Sequence, residues 1–136
     1  MAFKKTNRKP YRSKYNNRKV EYDGMVFDSK KEAQRWRYLE EMQNEGKIKN
    51  LQRQVKFLLI KTQREPDTIG PRGGIKKGKV IERECDFIAD FVYMDANTNE
   101  MIVEDIKGYK QEGAYKVFTI KRKLMLERYG IRVKEL

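Results

Sequence analysis

Asp90, Asp105 and Lys107 are the residues whose types and spacing could do chemistry. In Ile102-Val103-Glu104-Asp105-Ile106-Lys107 an extended backbone sends alternate side chains to opposite faces. Val103, Asp105 and Lys107 then share one face, and Ile102, Glu104 and Ile106 the other. The preceding apolar segment, 86–93, puts Phe87, Ala89, Phe91 and Tyr93 on one face and Asp86 and Asp90 on the other. A connection through Asn97-Thr98-Asn99 makes the two segments an antiparallel pair, which brings Asp90 near Asp105 and Lys107. Two carboxylates that close repel unless a cation joins them, and their hard oxygens suit Mg²⁺ or Mn²⁺. Such an ion polarises a phosphodiester and lowers the pKa of a bound water. Lys107 can orient that water or stabilise developing charge. Alone, Asp-x-Lys reads equally as a surface ion pair; the preceding Ile88-Ala89-Asp90-Phe91 is what makes it informative.

Other polar residues could join this group. Ser29-Lys30-Lys31-Glu32 matches a capping box, a role that by itself accounts for Glu32. Yet Glu32, Trp36, Leu39 and Gln43 fall on one helical stripe, and an acid facing the core needs a partner that a metal cluster would supply. Trp36 reads as core. Asp86 and Glu104 are alternative acids; alternation favours Asp105 over Glu104 and excludes Asp86 less well. Gln54, at the start of a strand, could position a water or a phosphate, though a strand-end glutamine is also ordinary. Lys116, Lys121 and Lys123 share a helix with Val117, Phe118, Leu124 and Met125. They form either a solvated face or, beside an active site, grips for phosphates.

Composition narrows the alternatives. The chain has 136 residues, enough for one domain with a modest core, and 32 Lys+Arg against 20 Asp+Glu, a formal charge of +12. It has no histidine, and Cys85 is its only cysteine. Cys/His zinc sites, Ser-His-Asp and Cys-His relays and nucleases with a histidine base are therefore excluded. One cysteine makes no internal disulfide, which fits a reducing compartment. No apolar run is long enough to span a membrane, and the start MAFKKTNRKP lacks the apolar region of a secretory signal. A soluble, cytoplasmic protein with no membrane partner is expected.

The charge is unevenly placed. Lys4, Lys5, Arg8, Lys9, Arg12, Lys14, Arg18 and Lys19 carry +8 with no acid among them, and Tyr11 and Tyr15 are interleaved. Residues 1–19 read as a basic, flexible arm for DNA, giving salt-sensitive attraction to phosphate with tyrosines that stack on bases. A solubilising tail is the plainer alternative. Residues 20–136 read as the folded domain.

The elements that must position the site follow from local signals. Asp23-Gly24 marks a hairpin over 20–27. A helix opens after Asp28-Ser29, runs to about Glu45 and stops at Gly46. Residues 47–51 read as a turn, 55–61 as a strand, and 62–79, with two prolines and four glycines, as a loop. That loop has no Gly-Lys-Ser/Thr and is no phosphate-binding P-loop, but it could be a flap over DNA. A long strand over 80–93, a strand over 101–107, a basic amphipathic helix over 114–129 and a last strand over 131–133 complete an α/β domain with a mixed sheet.

The order of motifs is familiar: Glu32 on the first helix, Gln54, Ile88-Ala89-Asp90-Phe91-Val92-Tyr93, Val103-Glu104-Asp105-Ile106-Lys107-Gly108, a helix with Tyr115, Lys116, Lys121 and Lys123, then Tyr129-Gly130-Ile131. Over residues 20–136 it resembles a family of small phage and prophage proteins in the PD-(D/E)-x-K nuclease superfamily. The resemblance implies a restriction-endonuclease-like α-β-β-β-α-β core and Mg²⁺-dependent DNA cleavage. Asp90 takes the place of the first acid, Asp105 the (D/E), Lys107 the lysine and Glu32 the helix acid of many members. Ala89 stands where the pattern has proline.

These readings together predict a Mg²⁺- or Mn²⁺-dependent DNA endonuclease in which Asp90, Asp105 and Glu32 bind metal and Lys107 assists the attacking water. Branched DNA, as for a junction resolvase, is a substrate by analogy alone; cutting both strands of a symmetric junction would favour a homodimer. Two other classes compete: a non-catalytic basic nucleic-acid-binding protein, in which the arm is the function, and a phage assembly protein that binds neither DNA nor metal.

Overall fold

The computed structural model describes residues 18–108 and 112–136. Asp23 and Gly24 both take positive φ (51° and 74°), the backbone that a two-residue hairpin turn demands. They join strand β1 (Val20–Tyr22) to β2 (Met25–Phe27) in antiparallel register. Ser29 then caps helix α1 (Lys30–Asn44), its hydroxyl accepting from the Glu32 N–H at 3.1 Å. Gly46, at φ 77°, ends the helix. Strand β3 (Ile48–Ile60) follows, and after it four short strands: β4 (Gln63–Arg64), β5 (Thr68–Ile69), β6 (Ile75–Lys76) and β7 (Val80–Glu82). The chain closes with β8 (Cys85–Asp95), β9 (Met101–Asp105), α2 (Glu112–Tyr129) and β10 (Lys134–Glu135).

The central sheet has the order β10-β9-β8-β3. β3, β8 and β9 are antiparallel neighbours, while β10 runs parallel to β9, so the sheet is mixed and the class is α/β, as expected. Along the chain its elements run α1-β3-β8-β9-α2-β10. One face of the sheet packs α1 and the hairpin, through Phe27, Ala33, Trp36, Leu39, Ile48, Phe91 and Tyr93. The other packs α2, through Leu59, Phe87, Ala89, Val92, Val103, Phe118 and Met125. Among the described residues, no helix is long and apolar enough to cross a membrane.

Several local expectations are corrected. The turn expected over 47–51 is the start of β3, because Ile48 is buried in the α1 layer and pairs with Asp95. The pairing is irregular between Lys49 and Gln52, where Asn50 sits at φ 56°. The loop expected over 62–79 holds strands, β4 pairing with β7 and β5 with β6. The long strand expected over 80–93 is split at Arg83-Glu84 into β7 and β8. The last strand lies at Lys134–Glu135 rather than 131–133, since Val133 is used in the α2 core and pairing with β9 begins after it.

Strand β8 also departs from uniform alternation. Phe87 and Ala89 face α2, whereas Phe91 and Tyr93 face α1. The partner strand changes face at the same level: Arg53, opposite Phe91, lies over the Phe27 ring in the α1 layer, and Val55, opposite Ala89, joins the α2 layer. Between them Gln54 takes φ 53°. This left-handed residue turns the pleat over and leaves Asp90 between the two layers.

Glu104 is the one acid fully buried, at 0% exposure. Its carboxylate accepts two guanidinium bonds from Arg35 on α1 (2.9 and 2.6 Å) and one from the Tyr93 hydroxyl (2.5 Å). Burial and this neighbour push the Tyr93 hydroxyl pKa up. Removing one partner from a buried pair strands a charge in low dielectric, which costs several kcal/mol. Arg35→Ala should therefore lower the unfolding free energy by about 3 kcal/mol, measured by urea denaturation. Adding Glu104→Gln to that variant should recover part of the loss, because the stranded charge is gone.

Candidate active site

The antiparallel register of β8 with β9 places Phe91 opposite Glu104, so Asp90 and Asp105 stand at the next level of the ladder. The Asp90 carboxylate accepts from the Ile106 backbone N–H through Oδ2 at 2.7 Å, and from the Gln54 amide through Oδ1 at 3.3 Å. The same Gln54 nitrogen lies 3.5 Å from Glu32 Oε1, so it links the acid on α1 to the acid on β8. Asp105 forms an ion pair with Lys107. The Lys107 ammonium lies 3.5 Å from the centre of the Phe118 ring on α2, a cation–π contact that limits its conformations. Its backbone is held from both sides: the N–H donates to Leu136 O at 2.8 Å, and the carbonyl accepts from Lys31 Nζ at 3.0 Å.

Crowding acids together has an electrostatic cost that two carboxyls register. Asp90 is raised from 3.8 to about 7, first by burial and then by the neighbouring Asp105 charge, against the opposing Ile106 N–H. Glu32, buried, is also raised, by burial and by the charge of Asp28, while Arg53 and Gln54 pull it the other way. The donors on offer to a cation are thus carboxylate oxygens with an amide between them. Among the described residues, however, no three Asp, Glu or Cys side chains form a group that could hold a metal ion.

The remaining expected residues divide. Glu104 faces α1 and is neutralised there by Arg35 and Tyr93, away from Lys107 on the other face. Asp86 lines an open cleft of about 330 Å³ with Asp105, Lys107, Phe118 and Lys121. Its Oδ2 pairs with Lys56 at 3.1 Å, and its buried Oδ1 has no hydrogen-bond partner. Of the three α2 lysines, only Lys121 borders this cleft; Lys116 pairs with Glu112 on its own helix, and Lys123 lies beside Arg132. Arg18 and Lys19 are exposed at the entry to β1. Lys4, Lys5, Arg8, Lys9, Arg12 and Lys14 lie outside the described residues.

Sequence reasoning misses Lys31 and Phe118, which fix Lys107, and Arg35, which fixes Glu104. The one available signal was Glu104 itself, an acid between apolar neighbours that must find a cation. The raised Asp90 pKa has a definite consequence for stability. The unfolded chain loses this proton near 3.8, and the folded one keeps it to about 7. The native state thus binds more protons between these values, and stability falls as pH rises through them. Relative to wild type, Asp90→Asn should gain thermal stability progressively from pH 4 to pH 8 in melts with EDTA. A difference that stays constant with pH would show that Asp90 ionises freely.

No curated protein and no solved structure matches the chain. Residues 12–134 match the family model described as "Protein of unknown function (DUF1064)", and the chain belongs to that family.

Proposed function

We propose that the protein is a metal-dependent endonuclease that hydrolyses DNA phosphodiesters, with a restriction-endonuclease-like core of the PD-(D/E)-x-K type. The observation that carries this reading is Asp90 and Asp105 on neighbouring strands, with Lys107 paired to Asp105 just beyond β9 and Gln54 tying Glu32 to Asp90. The element order α1-β3-β8-β9-α2-β10 supports it, being the order that the superfamily resemblance implies. Asp90, Asp105 and Glu32 would hold Mg²⁺ or Mn²⁺, whose charge would relieve the crowding of the acids. Bound there, the ion supplies Lewis acidity toward a phosphoryl oxygen and acidifies a water.

The chain's own residues do the rest. Lys107, restrained by Asp105 and Phe118, donates to the attacking water or to a phosphate oxygen. Gln54 fixes the rotamers of two carboxylates at once. Lys121 borders the cleft through which a phosphate would approach. In the reaction the water oxygen joins phosphorus, one ester oxygen leaves, and the proton lost by water balances the one the leaving oxygen gains. Arg18, Lys19 and the basic segment before them add sequence-independent affinity. The setting is the cytoplasm of a bacterial host, with branched DNA as a candidate substrate and a homodimer as the form that would cut both strands.

The exposed cations Arg18, Lys19, Arg72, Lys76, Lys77 and Lys79 also suit a second reading, a basic nucleic-acid-binding protein without catalysis. Cleavage of plasmid, single-stranded and four-way-junction DNA with Mg²⁺ or Mn²⁺ separates the two. The nuclease reading expects wild-type cleavage, reduced at least about a hundredfold in both Asp105→Ala and Lys107→Ala. It also expects a Mg²⁺-dependent rise in melting temperature that Asp90→Ala abolishes. Wild type that cuts none of these substrates, or variants that cut normally, would sink it.

A further inference from the structure

Between β3 and β8 the chain leaves the central sheet as a β-ribbon, residues 61–84, with β4–β7 as its stem and β5–β6 as its tip. The ribbon is held by its own bonds. The Glu65 N–H donates to Lys79 O at 2.9 Å, the Gly78 N–H to the Asp67 carboxylate at 2.9 Å, and the Arg64 guanidinium to Gly78 O at 3.1 Å. Gly78 approaches Glu65 so closely that a Cβ would lie 1.7 Å from the Glu65 carbonyl oxygen. At the tip, the Gly70 N–H donates to Gly74 O at 2.7 Å and the Gly73 N–H to Gly70 O at 3.0 Å, closing a turn around Pro71 and Arg72.

Such ordering costs backbone entropy at every residue, yet the tip buries almost nothing in return. Ile69 and Ile75 are cross-strand partners, and each is 80% exposed. Around them Arg72, Lys76, Lys77 and Lys79 are exposed, and no acid occurs from Thr68 to Lys79. An ordered apolar pair flanked by four exposed cations, with the Asp67 carboxylate engaged by the Gly78 N–H, is complementary to a polyanion that has apolar spaces between stacked rings. Duplex DNA has that chemistry: apolar side chains can wedge between base steps from the minor groove while Arg and Lys hold the flanking phosphates. The tip carries no Asn or Gln to read base edges, so the grip is indifferent to sequence.

We propose that this ribbon clamps duplex DNA, its tip entering the minor groove with Ile69 and Ile75 as wedges that bend the helix. The proposal rests on DNA as the substrate of the reading above, but not on catalysis. The test uses the full chain in EDTA, with affinity for a labelled duplex read by anisotropy and bending by end-to-end energy transfer. Ile69→Ser/Ile75→Ser should abolish the bend and weaken binding about tenfold. Replacing Arg72, Lys76, Lys77 and Lys79 with Gln should flatten the slope of log K against log salt by up to about 3.6. Unchanged melting curves would show that these exposed substitutions leave the fold intact. Normal binding and bending by the isoleucine variant overturns the proposal, and so does an effect confined to self-association on gel filtration. If wild type binds and bends DNA through the ribbon but never cleaves it, the clamp stands and the nuclease falls. If the ribbon variants bind, bend and cleave like wild type, the nuclease stands and the clamp falls.

Discussion

The buried Glu104 carboxylate is the constraint on which the arrangement of this domain depends. A charge at 0% exposure has to be matched, and its partners come from two places: Tyr93 on the neighbouring strand and Arg35 on helix α1. The Arg35 pair is bidentate, so it sets the position and rotation of α1 on the sheet more narrowly than apolar packing would. Glu32 lies one turn before Arg35, and Asp105 one residue after Glu104. Docking α1 through Arg35 therefore brings Glu32 to the level of Gln54 and Asp90. On the strand, satisfying Glu104 on one face turns Asp105 to the other, toward Lys107 and Phe118. One buried ion pair thus sets the distance between the helix acid and the sheet acids.

The second constraint is the change of face at Gln54 and Asp90. In a regular ladder every second residue faces the same layer, and Asp90 would lie in the layer opposite to Phe91 and Ala89 alike. Here Phe91 belongs to the α1 layer and Ala89 to the α2 layer. The left-handed φ at Gln54 costs about 1–2 kcal/mol for a residue other than glycine. Strain of this size persists where the surroundings over-determine it, and it concentrates at functional sites. Its product is visible: one amide reaches carboxylates from two different elements.

Much of this was legible from residue types. Asp23-Gly24, Ser29 and Gly46 are local signals that act through φ and capping, and they set the hairpin and α1 correctly. The ion pair of Asp105 with Lys107 was legible from the two-residue spacing along β9, and the nearness of Asp90 from the hairpin order of β8 and β9, although the period itself breaks in β8 at Asp90. What escaped is either non-local or written in segments too short to show a period. Arg35 and Glu104 are far apart in the chain and meet only through tertiary packing. A glutamine at φ 53° in a strand has no sequence mark, unlike a glycine. The ribbon of β4–β7 reads as a loop because such short strands among glycines and prolines cannot display alternation, and its order comes from the Glu65–Lys79 backbone bond and from the bonds that Asp67 and Arg64 side chains make to the Gly78 backbone. The parallel pairing of β10 with β9 depends on where α2 ends, which periodicity cannot supply.

The distribution of charge then acquires a physical reason. A site built from carboxylates repels the polyanion that the proposed reaction requires: Asp86, Asp90 and Asp105 stand on neighbouring strands β8 and β9, and Glu32 is linked to Asp90 from α1 through Gln54. Lys107 is spent on Asp105, and Lys56 on Asp86. Attraction has to come from cations held away from the acids, where they are not neutralised. The exposed ribbon tip and Arg18 and Lys19 ahead of β1 meet that need, and Lys121 extends it to the cleft. Among the described residues the cations of the tip stand apart from the candidate site, and a bound duplex would be drawn to them while a phosphate met the carboxylates only with a cation between them.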